Sequence, residues 1–488
     1  MRISTLIEEL PVTCSSDGDI DVSGITHDSR RVEPGDLFVA LVGQQFDGRA
    51  FVSQAVEQGA VAVLASGPPL PDFEGVWLTT KKPRLTMGSL AARLYGHPDR
   101  EMLVVGVTGT NGKSTVSHLL AAMLEAAGKP TGTLGTLGYS FAGEQFAAAR
   151  TTPESTDLVE FLHRMREAGA EAVSAEVSSH GLALGRVHEI GFDLAVFTNL
   201  TRDHLDFHHD FEHYFAAKRM LFEQLKPGGV AAVNIDDPFG RRLADLLSNP
   251  LTFGESGDVR IGRVEFDITG IQGVLMTPRG EIEFRSRLLG AYNLENILAA
   301  VAGAVALDLD HEAIKEGVLS MPPLPGRMES VDAGQPFPVI VDYAHTDAAL
   351  EAALKSVRSF TNRKILLVFG CGGDRDPGKR QLMGQIAGKL ADRSIITSDN
   401  PRNEDPLAII ASIEEGIKRS GNPNYRILPD RGEAIRRATS QADEEWAVLV
   451  AGKGHEEILI VGDREVPFSD RQEIEAVLEE RFGSRPSD

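Results

Sequence analysis

Apolar residues in the middle of the chain come in runs of strand length, and each run stops abruptly on polar residues. MLVVGV leads into TGTNGKST, EAVSAE into VSSH, LAVFTN into LTRDHLD, and VAAVN into IDDP. The last third repeats the device: KILLVF precedes GCGGDRD, RSIIT precedes SDNPR, YRIL precedes PDRG, and WAVLVA precedes GKGHE. Such runs read as buried strands, and the carboxyl ends of strands are where open parallel sheets bind ligands. The pattern predicts an α/β protein with doubly wound, mostly parallel sheets and its chemistry at strand ends.

Two breaks divide this pattern. Near RLYGHPDREM, Gly96 and Pro98 interrupt helical periodicity just ahead of an apolar strand, and near PPLPGRMES, Pro322, Pro323, Pro325 and Gly326 exclude helix or strand interior. Three domains are expected: a small α/β domain at 1–98, a central P-loop domain at 99–327, and a Rossmann-like α/β domain at 328–488. In the first, DLFVAL and AVAVLA read as strands with the helix-like SQAVEQGA between them.

A chain of 488 residues is too long for one core, which agrees with that division. The formal charge of −22 argues against a nucleic-acid polymer as partner. Two cysteines, Cys14 and Cys371, cannot form a disulfide framework, and Arg2, Glu8 and Glu9 stand where a signal peptide is apolar. A cytoplasmic monomer is expected. The longest apolar run, Ile297 to Leu307, falls well short of the roughly 20 residues that cross a bilayer, so no membrane insertion is expected. Cys371 beside Gly372 and Gly373 reads as a small packed residue, and neither it nor His180 reads as a nucleophile.

The most informative stretch is GVTGTNGKST, Gly106 to Thr115. Strict Walker A spacing requires Gly at 107, which is Val, and the first Gly falls one residue early. The context is nonetheless that of a phosphate loop: a strand, a turn through Gly109 and Gly112, then a helix with Val116, Leu119, Leu120, Met123 and Leu124 on one face. Backbone N–H groups of Gly109, Thr110, Asn111 and Gly112 can point at phosphate oxygens in such a loop, which runs on to Thr115, the helix start adds positive potential, and Lys113 supplies a mobile full charge. Ser114 is placed to hold Mg²⁺. These features predict binding of a nucleoside triphosphate, ATP, with Mg²⁺.

Glu176 and His204 each follow a strand, so a carboxylate and an imidazole could reach one metal, although a lone histidine there serves equally as a structural hydrogen-bonder. Lys218 in YFAAKRMLF reads by itself as a solvated lysine on an amphipathic helix. SDNPRNEDP reads by itself as a surface turn with Asp405 capping the next helix.

Taken in this order, these residues resemble the ATP-dependent Mur ligase superfamily, whose phosphate loop has the longer Gly-x-x-Gly-x-x-Gly-Lys-Ser form seen here. The resemblance covers essentially the whole chain. HDSRRVEPGDLFVAL with FDG, Phe46 to Gly48, resembles the family's uridine-binding domain and implicates Ser29. TTP, VSSH and Arg186 resemble its muramoyl-peptide contacts, which implies Thr151, Thr152 and Ser178. LGAYNLEN, PGRMES and DYAHT resemble its ATP-side segments and imply Asn293, Asn296, Arg327, Asp342 and His345. The family lysine matching Lys218 is carbamylated, which would convert a cation into an anionic oxygen ligand and let it join Ser114, Glu176 and His204 around magnesium. Lys113, Lys218 and His204 become the implied catalytic residues. Asp347 stands where the family usually has Pro, and Leu184 where some members have Gln.

The implied reaction activates the D-Glu side-chain carboxylate of UDP-N-acetylmuramoyl-L-Ala-D-Glu as an acyl phosphate and gives it to an amine, a step of peptidoglycan precursor synthesis. DNPR, Asp399 to Arg402, resembles the signature of the branch that adds meso-diaminopimelate. Diaminopimelate carries a distal carboxylate that lysine lacks, and the Arg402 guanidinium suits it as a bidentate fork. Asp399, Asn400 and Pro401, with Arg375, Gly452 and Glu456, complete the implied pocket, Glu456 pairing with the distal ammonium. A lysine-adding or folylpolyglutamate synthetase-like ligase stays open, as do a P-loop kinase or GTPase and a non-catalytic ATP-binding protein. The absence of an NKxD signature weighs against a GTPase, the strand-end cluster of Arg375, Arg402 and Glu456 against a simple kinase, and the retention of Lys113, Glu176 and His204 against a non-catalytic binder.

Overall fold

The protein is described here by a computed structural model covering residues 1–15, 19–43, 47–71 and 73–483. Phe46, part of the FDG stretch, lies outside the described residues. Every apolar run that the pattern marks as a strand is one. β1 (Thr13–Cys14), β2 (Gly24–Thr26), β3 (Asp36–Val39), β4 (Ala62–Ala65) and β5 (Val76–Thr79) form a sheet in the order β1-β5-β4-β3-β2, parallel except where β1 meets β5. Phe38, Val63 and Trp77 pack against Val52 and Ala55 of the helix Val52–Glu57, which gives this sheet its apolar core.

A second sheet contains β6 (Leu103–Thr108), β7 (Thr131–Gly135), β8 (Gly138–Phe141), β9 (Glu144–Phe146), β10 (Ala172–Glu176), β11 (Phe192–Phe197), β12 (Leu225–Asn234) and β13 (Leu251–Phe253). Its order is β13-β12-β11-β6-β10-β7-β8-β9. β10 runs parallel to β6 and β7, while β8 and β9 add antiparallel pairs at one edge. β6 separates strands that the chain visits later on both of its sides, so its carboxyl end is a place where open sheets bind ligands. The helix Lys113–Ala126 leaves from there, and its buried Val116, Leu119, Leu120, Met123 and Leu124 follow the expected spacing. Burying each such side chain contributes about 1.5 to 3 kcal/mol, which anchors the start of the helix.

β14 (Arg260–Asp267), β15 (Gly270–Thr277) and β16 (Gly280–Ser286) form an antiparallel sheet that contains no long apolar run. Ile282, Phe284 and Ser286 are buried there between exposed Glu281, Glu283 and Arg285, so the strand shows alternation rather than a continuous run. β17 (Glu329–Ser330), β18 (Val339–Asp342), β19 (Lys364–Phe369), β20 (Arg393–Ile396), β21 (Tyr425–Ile427) and β22 (Trp446–Ala451) make the last large sheet, in the order β17-β18-β22-β19-β20-β21. It is parallel apart from β17. β23 (Ile458–Val461) and β24 (Arg464–Pro467) form a separate hairpin.

By compactness the chain forms two units, Met1–Thr108 with Gly128–Val196 and Ala216–Ala231, and Gly109–Ala127 with Phe197–Phe215 and Ala232–Asp488. Both draw on residues 99–327, so the chain passes repeatedly from one unit to the other. The apolar run at Ile297 belongs to the buried helix Ala291–Ala306, and no helix among the described residues is long and apolar enough to cross a membrane.

Candidate active site

Between β6 and its helix the loop is fastened by long-range bonds. Thr110 N donates to Asn199 O and Asn111 N to Asn199 Oδ1, both at 2.9 Å, while Thr198 Oγ1 donates to Asn111 O at 2.6 Å. Gly109 is required by crowding, since a Cβ there would lie 1.8 Å from Thr198 Oγ1. Gly112 is required by its φ of +87°, and a Cβ would also meet Asn296 Oδ1 at 2.4 Å. Thr110 Oγ1 sits 3.2 Å from Tyr214 Oη, and the Tyr214 ring stacks on His208. Lys113 Nζ donates to Gly109 O at 3.0 Å and Thr110 O at 2.9 Å, which holds its charge over the loop. Thr115 is buried just inside the helix.

The expected ATP-side residues of this unit converge on the loop only in part. Asn296 Nδ2 donates to Asn293 Oδ1 and Asn293 Nδ2 to Leu289 O, so the two buried amides brace one another behind Gly112. Arg327 Nη2 donates to Ser114 Oγ at 3.4 Å, and its guanidinium lies 4.7 Å over the Tyr343 ring. Asp342 is a buried brace: Oδ2 accepts from Met328 N and Tyr292 Oη, and Oδ1 from Ala344 N. Burial raises its pKa and these bonds only partly offset that. His345 Nδ1 meets Tyr343 O at 3.0 Å, and burial, reinforced by Lys379, holds its imidazole below the ordinary value.

Tyr343 continues the chain of contacts, its hydroxyl donating to Glu456 Oε1 at 3.4 Å. Glu456 Oε2 accepts from Asn400 Nδ2 at 2.9 Å. Asp399, Asn400 and Pro401 are buried, so the DNPR segment is no surface turn, while Asp405 does cap the following helix through Leu407 N. A Cβ on Gly452 would lie 2.6 Å from Asp399 Oδ2, which brings the two loops into contact. Arg402 has φ +50°, exchanges Arg402 N to Ile460 O and Gly462 N to Arg402 O with the hairpin, and donates from Nη1 to Gly373 O at 2.8 Å. Burial lowers its pKa first and the Arg375 guanidinium lowers it further, against the opposing pull of Asp399, Glu456 and Asp374. Cys371 is buried 3.5 Å from Met383 Sδ, its thiol pushed up to about 12 by burial, in keeping with a packed residue.

The other unit gathers most of the expected peptide contacts. Thr152 Oγ1 donates to Glu176 O and accepts from Ser178 N, and Ser178 Oγ caps the short helix through Gly181 N. Thr151 Oγ1 lies 3.0 Å from Thr136 Oγ1, and Thr136 donates through N and Oγ1 to the Glu176 carboxylate. Arg186 binds Glu154 through Nε and Thr152 O through Nη1. Burial alone would raise Glu154, but Arg186 and then Arg84 outweigh it and hold the carboxyl below its ordinary value. Ser29 stands outside these hydrogen bonds, its hydroxyl given to Gln54. Lys218 is 1% exposed, which corrects the reading as a surface lysine: the apolar face of its helix carries it into the core.

His204 is half-exposed, with Nε2 3.4 Å from Asp203 Oδ2. Among the described residues no group of three or more His, Cys, Asp or Glu side chains is arranged to hold a metal. Glu154, Thr136, Tyr214, Tyr343 and Lys453 were not anticipated. Lys453, Tyr343 and Tyr214 lay inside singled-out stretches, GKGHE, DYAHT and YFAAKRMLF, without being picked from them; Glu154 and Thr136 carry no local signal, because their partners are remote in sequence.

A glycine-dependent phosphate loop at the end of a central strand, joined through Arg327 to a pocket of guanidiniums and carboxylates, defines a nucleotide-dependent α/β enzyme. Residues 21–94 match the Mur ligase family catalytic domain, 107–304 the Mur ligase middle domain, and 326–454 the Mur ligase glutamate ligase domain. The chain is 45% identical to the UDP-N-acetylmuramoyl-L-alanyl-D-glutamate--2,6-diaminopimelate ligase of Geobacter metallireducens, covering 94% of this chain and 95% of that one. A solved structure of a UDP-N-acetylmuramoyl-L-alanyl-D-glutamate--2,6-diaminopimelate ligase superposes with a TM-score of 0.69 at 32% identity, covering 99% of each chain. A MurF structure from Acinetobacter baumannii, at 21% identity and a TM-score of 0.73 over 98% of each chain, shares the fold. The chain belongs to the Mur ligase family.

Proposed function

We propose that this protein uses ATP to join meso-diaminopimelate to the D-Glu side-chain carboxylate of UDP-N-acetylmuramoyl-L-Ala-D-Glu, releasing ADP and phosphate. The observation that carries the reading is the run of contacts from Ser114 through Arg327 and Tyr343 to Glu456 and Asn400, which ties the phosphate loop to the amine pocket within one compact unit. The segments 1–98, 99–327 and 328–488 then serve the uridine end, the ATP and the amine in turn.

A carboxylate is a poor acylating agent because its leaving group is oxide. Its oxygen attacks the γ-phosphorus of ATP, ADP departs, and the acyl phosphate is opened by the amine; the C–O bond breaks, phosphate leaves and the amine nitrogen loses a proton to solvent. Lys113 and the positive start of its helix offset the repulsion between carboxylate and triphosphate, while the Thr110 and Asn111 N–H groups, expected on phosphate, are given to Asn199. Thr151, Thr152, Ser178 and Arg186 hold the muramoyl peptide, while Arg375 and Arg402 take the distal carboxylate of the amine and Glu456 its distal ammonium. Ser114, Glu176 and Lys218 as a carbamate would each offer a hard oxygen to Mg²⁺, and His204 an imidazole nitrogen. When bound, Mg²⁺ neutralises phosphate charge.

The test is phosphate release and product mass with ATP, Mg²⁺ and the muramoyl dipeptide, in parallel with meso-diaminopimelate and L-lysine. Product with diaminopimelate alone is expected; product with lysine alone overturns the amine assignment, and no product overturns the reaction. Gly112→Ala is expected to raise the KM for ATP by roughly 10- to 100-fold, since the left-handed backbone costs an L side chain about 1 to 3 kcal/mol and the added methyl displaces Asn296. An unchanged KM would show that the loop does not grip the nucleotide.

A further inference from the structure

We infer that Lys453 is a positioning residue that sets the amine specificity of the pocket, an inference that rests on the reading just given and deepens it. Its side chain is 0% exposed. All three ammonium protons have acceptors: Asn400 Oδ1 at 3.1 Å, Glu456 Oε2 at 3.1 Å and Ile458 O. A buried lysine spent on these three groups ties together the loop after β20, the loop after β22 and the hairpin strand β23.

The consequence for Asn400 follows from donor and acceptor chemistry. Oδ1 faces two donors, Lys453 Nζ and Ile460 N at 3.0 Å, so the amide cannot turn over without setting NH₂ against both. Nδ2 is therefore the end that reaches Glu456 Oε2 at 2.9 Å. Glu456 Oε2 accepts from both Asn400 and Lys453, and Oε1 carries only the longer 3.4 Å bond from Tyr343. Lys453 thus presents Glu456 with one oxygen committed and the other directed to an incoming ammonium. It also balances the charge of the partly buried Glu456, so an amine without a distal carboxylate brings in a cation that Glu456 only partly offsets, beside Arg375 and Arg402.

The wild-type enzyme is first shown to form product with meso-diaminopimelate; failure there overturns the amine assignment, whereas the variants that follow bear on Lys453. Lys453→Met is expected to raise the KM for diaminopimelate about 10- to 100-fold, leave the KM values for ATP and the muramoyl dipeptide within about twofold, and narrow the preference for diaminopimelate over lysine. A merely structural lysine would instead lower the melting temperature and raise all three KM values together, and that result overturns the inference. Because Lys453 acts through Asn400, the double variant K453M/N400A should cost little more than the larger single change; multiplicative effects overturn it. Should K453M fail to fold, Lys453→Gln must raise the diaminopimelate KM with the ATP KM unchanged, and an unaltered diaminopimelate KM refutes the proposal.

Discussion

Lys113→Met is expected to lower kcat/KM by about 10³-fold while leaving the melting temperature within a few degrees of the wild type. The substitution keeps the aliphatic stem and removes only the ammonium, which in the protein donates to Gly109 O and Thr110 O. Those two carbonyls lie on the loop proposed to cradle phosphate, which would hold the charge where negative charge must be tolerated as the carboxylate approaches the γ-phosphate. Removing one preorganised donor from such a position costs about 10² to 10³ in rate, and a full charge belongs at the upper end. Steady-state phosphate release, with ATP binding by calorimetry, separates the effects on binding and rate. A loss of tenfold or less would place the Lys113 charge off the reaction path.

Arg402→Lys is the second large effect, although it keeps the charge. The KM for meso-diaminopimelate should rise about 100-fold, and the discrimination against L-lysine should fall with it. The reason is geometric. Arg402 holds a left-handed backbone at φ +50°, its main chain is bonded to Ile460 and Gly462, and Nη1 is anchored on Gly373 O, which leaves the rest of the guanidinium fork oriented. An unbranched ammonium reaches the Gly373 carbonyl or a carboxylate but cannot hold both in one plane. A site built to bind a polar group rejects the analogue that lacks it by leaving its own groups unpaired, so loosening the fork costs selectivity as well as affinity. Competition between the two amino acids in one reaction, read by product mass, measures the ratio directly; an unchanged ratio would sink the proposed role of Arg402.

These expectations were legible to different degrees. The phosphate loop was readable because strand, glycine turn and helix lie in one stretch of ten residues, and the buried face of the helix Lys113–Ala126 repeats every three to four positions. DNPR was readable only through resemblance, since Asn-Pro alone marks a turn. Lys218 was not readable: a lysine on an amphipathic helix looks the same whether the helix turns it to water or, as here, into the core. Asp342 was expected beside the nucleotide and serves as a brace for Met328 and Tyr292, a role invisible without the fold.

What the sequence by itself determined is the class of elements and the chemistry at their ends. Apolar period, glycine placement and capping residues act over a few bonds, and the backbone obeys them wherever the segment finally sits. What only the tertiary structure decided is which charges and amides find partners. Ser114 meets Arg327 across 213 positions, and Lys453 meets Asn400 across 53. A buried polar group must be satisfied by whatever the fold brings to it, so its partner and its role follow from packing, not from its neighbours along the chain.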